Sequence, residues 1–521
     1  MKVSKLKDFN AKEFWHNHGK SAIAPTCVVT AIFIITYFFF GMENTMIGPF
    51  ATLSFLRFKD LKRHYSCMAK TFIIYCIMAG AAYVALLNLP LCIIVNAVAL
   101  FWLCALLIDE YQMNNYFPAG MALIFFQIAP VHTVSALGNR MLALAASFVI
   151  IFIFLFFFGL RKKEDVLVTL AREGQRNCYL LYKAVEQMDA EEAARLRKEI
   201  CKNNRRMSEI VYGANRASFV MYESVNIYSR YIGLFETFVY ESKEEGDRDK
   251  CLHSMEQVLQ RIAYLKSNEI PDNKRLKFRS AKFDIRLNRY RFGLRQVCIT
   301  MPTLVFAYVT GWQNAYWLTI SVFFMLIPFA DYTTDRVKQR VLGTIRGIVF
   351  CLILFYIFQG LEQRVVIMTI FNFLIYSANG YQSMVSYITC SALALNDLEA
   401  SVTLMLLQRV IYTFAGAGIT MLANRYVFPL NKKVAAEVVR SKLEELKYRI
   451  HEEIPFVEDV TERMHRTNEC MIKAYMLGNS LTQYTSQEEA GTYLHPYMME
   501  MTETIKTKID PESRVKEAKS S

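Results

Sequence analysis

Apolar residues run in long charge-free stretches, and these stretches fall in two blocks of the chain, residues 21–160 and 296–430. A helix needs about 17–25 apolar residues to cross a hydrocarbon core of about 30 Å. On that criterion each block predicts six membrane-spanning helices. The twelve predicted spans are 21–40, 44–56, 71–88, 91–108, 117–136, 141–160, 297–311, 316–330, 341–359, 365–379, 382–396 and 403–428.

Polar segments separate and flank the two membrane blocks. They contain apolar residues at three- and four-residue steps, such as Val439, Leu443, Leu446 and Ile450, among charged residues. This spacing is typical of amphipathic helices in water. The sequence therefore predicts an all-α polytopic membrane protein with a cytoplasmic N-terminal segment and two cytoplasmic helical domains. In chain order the predicted segments are 1–20, 21–160, 161–295, 296–430 and 431–521.

The charge distribution changes the picture that the average composition gives. The chain is 21% charged, but only 10 charged residues lie in 21–160 and 12 in 296–430. This distribution excludes a single soluble enzyme, and most of the 12 cysteines lie in apolar stretches without metal-ligand spacing. A secreted disulfide scaffold and a cysteine metal site are therefore not expected. Because no signal-peptide core precedes the first span, we expect that span to be retained.

Loop charge predicts the orientation of the spans, because lysine and arginine concentrate on the cytoplasmic side. The basic loops 57–64 and 331–340 fall on one side together with the basic flanks at 161–163 and 432–433. The loops on the opposite side carry few cations. We therefore expect a multi-pass protein of the inner (plasma) membrane with both termini in the cytoplasm.

A weak internal repeat relates the two membrane blocks. The pair Pro25-Thr26 recurs 277 residues later as Pro302-Thr303, and the same shift carries Arg63 onto Arg340. An even number of spans in each half makes this a parallel repeat. Chance agreement is the alternative explanation. In the repeat, Arg140 corresponds to Arg409 at a shift of 269 residues.

The sequence argues against nucleic-acid binding and against the common catalytic motifs. The net charge of +13 suggests cytoplasmic lysine and arginine beside anionic membrane lipid rather than nucleic acid. Gly19-Lys20-Ser21 ends like a phosphate-binding loop, but Phe14 stands where that loop needs a glycine. No metal-protease or serine-hydrolase motif is present either. We expect neither an enzyme nor a bound cofactor or metal.

A few cations lie inside the predicted membrane blocks, where charge is expensive and often functional. Arg340 and Arg346 lie at the start of the ninth span, Arg409 lies in the twelfth, Arg140 opens the sixth, and Lys70 precedes the third. An anionic substrate would supply the missing counter-charge. The alternative is that these long side chains extend to lipid headgroups.

Small residues accompany these cations. Gly343, Thr344 and Gly347 share one face of the ninth span, and Gly416 and Gly418 lie in the twelfth. Such faces allow helices to approach closely, so helix packing is the alternative to direct contact with a ligand.

The second membrane block resembles the fusaric acid resistance and aromatic acid exporter superfamily. The resemblance rests on Tyr316-Trp317 at the start of 316–320, on Arg336, and on residues 340–347, which read Arg-Val-Leu-Gly-Thr-Ile-Arg-Gly. Other matching positions are Arg295, Arg409, Gly416 and Pro429. The first block departs from the pattern: Ser66 and Cys67 stand at the shifted positions of Gly343 and Thr344, and Lys70 replaces Gly347.

This resemblance implies export of organic anions, often aromatic carboxylates, from the cytoplasm. Arg340, Arg346 and Arg409 are then the candidate anion-attracting residues, with Gly343, Thr344 and Gly347 shaping the path. A passive anion channel and a membrane scaffold or sensor that transports nothing remain alternatives. Besides the substrate and membrane lipid, two partners stay open: a second copy of the chain, forming a homodimer, and a periplasmic accessory protein.

Overall fold

A computed structural model describes most of the chain, and in that part it is helical without a β-strand. The described residues are 19–59, 65–108, 113–161, 166–217, 223–242, 248–267, 288–312, 314–328, 330–358, 360–394, 402–427, 432–458 and 460–504. The predicted all-α class is confirmed.

Two compact units contain these helices. The first is built from the apolar helices of both membrane blocks. Its helices are α1 (Lys20–Phe40), α2 (Ile47–Phe58), α3 (Tyr65–Ala85, in this unit from Met68 onward), α4 (Leu89–Leu107), α5 (Phe117–Ile128), α6 (Val134–Arg161), α11 (Asn288–Thr310), α12 (Tyr316–Met325), α13 (Ala330–Ile357), α14 (Leu361–Ser377), α15 (Tyr381–Ala394) and α16 (Val402–Tyr426).

The second unit joins the polar helices that follow each membrane block. Its helices are α7 (Val166–Glu186), α8 (Ala190–Ala217), α9 (Glu223–Glu241), α10 (Arg248–Ser267), α17 (Lys432–Tyr448), α18 (Val460–Tyr484) and α19 (Gln487–Thr504). Their apolar positions face inward, as the helical period predicts: Leu443, Leu446 and Ile450 are all at most 4% exposed.

Seven helices among the described residues are long and apolar enough to cross a membrane. They are α1, α3, α4, α6, α11, α13 and α16. Four others coincide with predicted spans but are short: α2, α5, α12 and α15 have 12, 12, 10 and 14 residues. At about 1.5 Å per residue these helices are about 15–21 Å long, less than the hydrocarbon thickness of about 30 Å. The count of six plus six spans stays a prediction.

The two membrane blocks pack reciprocally in the first unit. Helix α1 of the first block packs against α14 of the second, and α11 of the second packs against α4 of the first. At the α1 contact, Phe33 belongs to the same apolar cluster as Phe371. At the α4 contact, the rings of Phe101 and Tyr290 stack with centroids 6.4 Å apart. Apolar residues of each block therefore pack against helices of the other block.

In the second unit, helices α7 and α9 meet at a glycine. A Cβ atom added to Gly174 would lie 2.3 Å from a ring atom of Phe235, which is fully buried. We expect Gly174→Ala to destabilise this unit by about 1–3 kcal/mol, because a packed ring must move. Hydrogen exchange of peptides from α7 and α9 should then be faster than in the wild type.

Gly233→Ala on α9 is the matched control. Nothing lies within 4 Å of a Cβ added there, and alanine in a helix is favoured over glycine by about 0.5–1 kcal/mol. Exchange in this variant should be unchanged or slower. Equal exchange in the two variants would show that the α7–α9 contact at Gly174 is not tight.

Candidate functional site

Arg340 is buried in the second membrane block, where much of its guanidinium group has no hydrogen-bond partner in the described structure. It lies on α13 with 1% exposure, and its Nε and Nη1 atoms are buried without a partner in the described structure. Its guanidinium carbon, Cζ, lies 4.9 Å from the ring centroid of Phe324 in the last turn of α12. A ring face attracts a cation, but it does not replace the hydrogen bonds of water.

Arg409 on α16 has the same surroundings. It is 4% exposed, its Nε atom is buried without a partner, and Cζ lies 5.2 Å from the ring centroid of Trp317. Helix α16, which carries Arg409, packs against α13, which carries Arg340. Each of the two contacting helices thus buries an arginine, and neither arginine forms an ion pair with an acid in the described part of the chain. Such an arrangement favours an anion between or beside them.

The helices around these two arginines carry buried hydroxyl groups without a described partner. Most buried threonines in the chain donate to a carbonyl one turn earlier, as Thr413 does to Arg409 O at 2.7 Å. Thr344, one turn beyond Arg340 on α13, does not, although it is 1% exposed. Other buried hydroxyls without a described partner lie on α12 and α16: Thr319, Ser321 and Thr420. They could donate to the oxygen atoms of an anion.

The short helix α12 ends beside Arg340. At Leu326 the backbone turns extended, with φ −71° and ψ 117°. The carbonyl of Phe324, freed by this end, accepts a hydrogen bond from Arg336 Nε at 2.9 Å, and the hydroxyl of Tyr116 reaches Leu326 O at 3.4 Å. Cations suit the partial negative charge of a helix C-terminus. Arg336 is therefore occupied in capping α12, whereas Arg340, one turn later, is not.

Gly343 and Gly347 lie where α13 crosses α15. An added Cβ would stand 2.7 Å from Gln382 O at the first position and 2.6 Å from Ser386 O at the second. The thiol of Cys390 donates to Gly347 O at 3.1 Å. Both glycines thus permit backbone contact between helices, which is the packing role that the sequence left open.

We expect Gly347→Ala to push α13 and α15 apart, because a backbone oxygen cannot rotate away as a side chain can. The cost should be about 1–3 kcal/mol, seen as a lower thermal unfolding midpoint of the purified protein. Gly418→Ala on α16 is the control, since nothing lies within 4 Å of its added Cβ. Equal midpoints for the two variants would contradict this close crossing.

The structure does not bring Arg346 to the Arg340–Arg409 pair. Its side chain is exposed on the outer surface of α13. Lys70, in the first block, is half-buried on α3. Of the candidate anion-attracting residues, only Arg340 and Arg409 are buried together. Gly418 is likewise exposed, so of the two glycines on α16 only Gly416 packs, with its added Cβ 2.9 Å from Ser321 Cβ.

Arg140, the predicted repeat counterpart of Arg409, differs from it completely. It is 1% exposed, yet its nitrogens donate to Asn44 Oδ1, Phe126 O, Glu43 O and Ala129 O at 3.1, 3.1, 3.2 and 2.5 Å. Two of these carbonyls lie at the end of the short helix α5. Arg140 therefore caps that helix and does not extend to headgroups. In the compact membrane unit, Thr30 is the sole first-block residue with an unpartnered buried side-chain atom among those described.

The rarity of charge inside the predicted spans did not single out two further buried arginines of the membrane unit. Arg295 on α11 is fully buried, and its Nη2 donates to Asn424 Oδ1 at 2.5 Å while Nε and Nη1 have no described partner. It was noticed only through the family resemblance. Arg364 opens α14, and a cation at the edge of a predicted span gives no sign of its burial. An arginine beside aromatic residues at a span edge is the signal that could have found it.

Comparison with known proteins supports the resemblance inferred from the sequence. Residues 299–423 match the family described as "Fusaric acid resistance protein-like", and this match includes Arg340 and Arg409. An "Uncharacterized protein" of Haemophilus influenzae is 30% identical over 158 residues, 26% of this chain and 22% of that protein. "Inner membrane protein YccS" of Escherichia coli is 25% identical over 142 residues, 27% of this chain and 20% of that protein. The chain thus spans about a fifth of the length of these curated relatives. No solved structure matches.

Proposed function

We propose that this chain, whose residues 299–423 are similar to the fusaric acid resistance protein-like family, is a permease that exports organic anions, with aromatic carboxylates as the substrate class. One observation supports the proposal above the others. Arg340 and Arg409 are buried on two contacting helices of an apolar unit, against ring faces and without an acidic partner among the described residues.

A carboxylate would complete this site. Arginine is always charged at physiological pH, and its planar nitrogens match carboxylate geometry. The carboxylate would accept from the unpartnered nitrogens of Arg340 and Arg409, with Thr344 as a further donor. The apolar remainder of an aromatic acid would suit the rings of Trp317 and Phe324, since offset and edge-to-face ring contacts are favourable. Gly343 and Gly347 would act through the α13–α15 crossing, whereas Arg346, which is exposed, would lie outside the site.

Weak internal symmetry supports the proposal of two six-span halves. The first helix of each half packs on the fourth helix of the other. The second and fifth helices of each half are the short ones. In this parallel repeat the first half would be structural, because Arg140 is saturated with hydrogen bonds whereas Arg409 is not. The two cytoplasmic helical segments, 161–295 and 431–521, would pack with each other in the second unit.

The membrane location follows from the same reasoning. One relative is named an inner membrane protein, and the seven long apolar helices suit a multi-pass arrangement. With the basic loops and both termini in the cytoplasm, α13 would run outward from Arg340. Export would then carry the anion outward along α13.

Flux of labelled benzoate from preloaded proteoliposomes tests the proposal. Vesicles containing the wild-type protein should lose benzoate faster than protein-free vesicles, and cells that express the chain should accumulate less of it. Flux that follows the anion potential without a proton gradient would identify a channel. Identical loss from vesicles with and without the protein would contradict transport and favour a scaffold or sensor.

A further inference from the structure

A third buried arginine of the membrane unit has the same environment as the proposed site. Arg364 lies in the first turn of α14 and is 5% exposed. Its Nε and Nη1 atoms are buried without a hydrogen-bond partner in the described structure. Its Cζ atom lies 5.3 Å from the ring centroid of Phe355 on α13.

One apolar cluster connects Arg364 with Arg409. Phe355 belongs to a cluster of buried residues. Trp317, whose ring lies under the guanidinium group of Arg409, packs against that cluster. The other members come from α1, α13, α14, α15 and α16: Phe33, Ile348, Cys351, Ile367, Met368, Phe371, Cys390, Leu393, Ala394, Met405 and Leu406. The two guanidinium groups therefore lie at the border of the same apolar region.

The order of these groups can be measured along α13. Arg340 and Phe355 are fifteen residues apart on this helix, which corresponds to about 22 Å. The guanidinium group of Arg364 lies over the ring of Phe355. Arg340 and Arg364 thus lie at different heights along α13.

A buried guanidinium without partners is costly, and arginine cannot lose its proton to avoid that cost. Nε and Nη1 of Arg364 have almost no exposed surface, so the side chain does not satisfy these two atoms by extending into the headgroup layer, and an occupant has to enter the unit to reach them. An oxyanion that enters beside the ring of Phe355 would satisfy them. Aromatic faces under arginine leave its edge free for such an anion.

We propose that Arg364, over Phe355, forms a second anion-binding subsite beyond the Arg340–Arg409 pair, which takes the carboxylate of a substrate or the phosphate of a lipid. The subsite rests on the proposed function where its occupant is the transported anion. In that case it receives the carboxylate after the Arg340–Arg409 pair, on the way out. A second binding site of this kind lets an anion leave the first without crossing an uncharged gap.

Calorimetric titration with benzoate tests the substrate source, with the full chain in phosphate-free maltoside micelles. The wild-type protein should show two binding events. Arg364→Gln should lose one of them, with its affinity weakened about tenfold or more, the factor that one charge-assisted hydrogen bond represents. Arg364→Lys should restore part of the binding if the protein is folded and charge matters.

Arg425→Gln is the matched control. Arg425 also lies near an aromatic ring, with Cζ 5.5 Å from the centroid of Tyr426, but it is exposed at the end of α16. Native mass spectrometry of the same proteins tests the lipid source. If a phospholipid occupies the subsite, the wild type and Arg425→Gln should retain it and Arg364→Gln should lose it. Benzoate titration should then be the same for all three proteins.

Equal behaviour of Arg364→Gln and Arg425→Gln in both measurements would overturn the subsite. This outcome is distinct from failure of the proposed function. If wild-type vesicles release no benzoate while Arg364→Gln still loses an anion, the subsite stands without transport. If wild-type vesicles release benzoate and Arg364→Gln binds every anion normally, transport stands without the subsite.

Discussion

Replacing Arg409 by glutamine lowers benzoate efflux at least about a hundredfold while the protein remains folded in the membrane. Glutamine keeps a polar donor but removes the charge that an anion would neutralise in this buried position. Truncating one member of a buried charge pair typically costs 2–5 kcal/mol, and about 2.8 kcal/mol corresponds to a hundredfold. Arg340→Gln should have a similar effect. Efflux from proteoliposomes with equal amounts of each protein measures it.

Arg346→Gln on α13 is the control for this prediction. It makes the same chemical change in the same helix as Arg340→Gln, but its side chain is exposed. We expect this variant to retain most of the wild-type efflux. Wild-type efflux from Arg409→Gln and Arg340→Gln would remove both residues from the mechanism. A loss confined to Arg346→Gln would move the anion path to the outer face of α13.

Replacing Arg140 by methionine should prevent the membrane unit from folding stably. The substitution removes all four of its hydrogen bonds and leaves Phe126 O and Ala129 O at the end of α5 without a donor. Each unsatisfied buried group costs about 1–3 kcal/mol. For the two carbonyls the total is about 2–6 kcal/mol, a large share of the 5–15 kcal/mol that holds a typical protein folded. Folded protein recovered from membranes by size-exclusion chromatography measures this loss.

Arg409→Met makes the same substitution at the predicted equivalent position. We expect it to give at least as much folded protein as the wild type, because it removes a buried charge that has no described partner at Nε. The two substitutions should therefore have opposite effects: Arg140→Met should lower the recovery of folded protein, and Arg409→Met should leave it unchanged or raise it. Equal recovery of Arg140→Met and Arg409→Met would mean that the hydrogen bonds of Arg140 contribute little to the stability of α5.

The long helices could be predicted because a charge-free stretch of sufficient length has few other stable forms. The ends of the short helices could not. The eighth span was predicted over 316–330, but α12 ends at Met325. Its ending depends on Arg336 and Tyr116, which supply donors from elsewhere in the chain. A hydropathy profile does not show which donors from other parts of the chain will reach the end of a helix.

The sequence identified the two buried arginines, Arg340 and Arg409, but not the side chains around them. Rarity of charge inside spans singled out Arg340 and Arg409. The helical period alone shows that Arg340 and Arg346, six residues apart, lie about 240° apart around α13 and cannot share one face. The partners of Arg140 were not predictable, because Glu43 and Asn44 are more than 90 residues away in the chain. Arg364 precedes the predicted span 365–379, and the structure, not the sequence, shows that it is buried over Phe355.

The most direct test compares the thermal stability of the purified wild type and Arg409→Met during titration with benzoate. A ligand that binds the folded state raises its unfolding midpoint with concentration, so the wild-type midpoint should rise steadily. Without benzoate the Arg409→Met midpoint should equal or exceed that of the wild type, and benzoate should raise it less than it raises the wild-type midpoint. Equal benzoate-dependent rises in both proteins, or none in either, would contradict anion binding by the buried arginine pair.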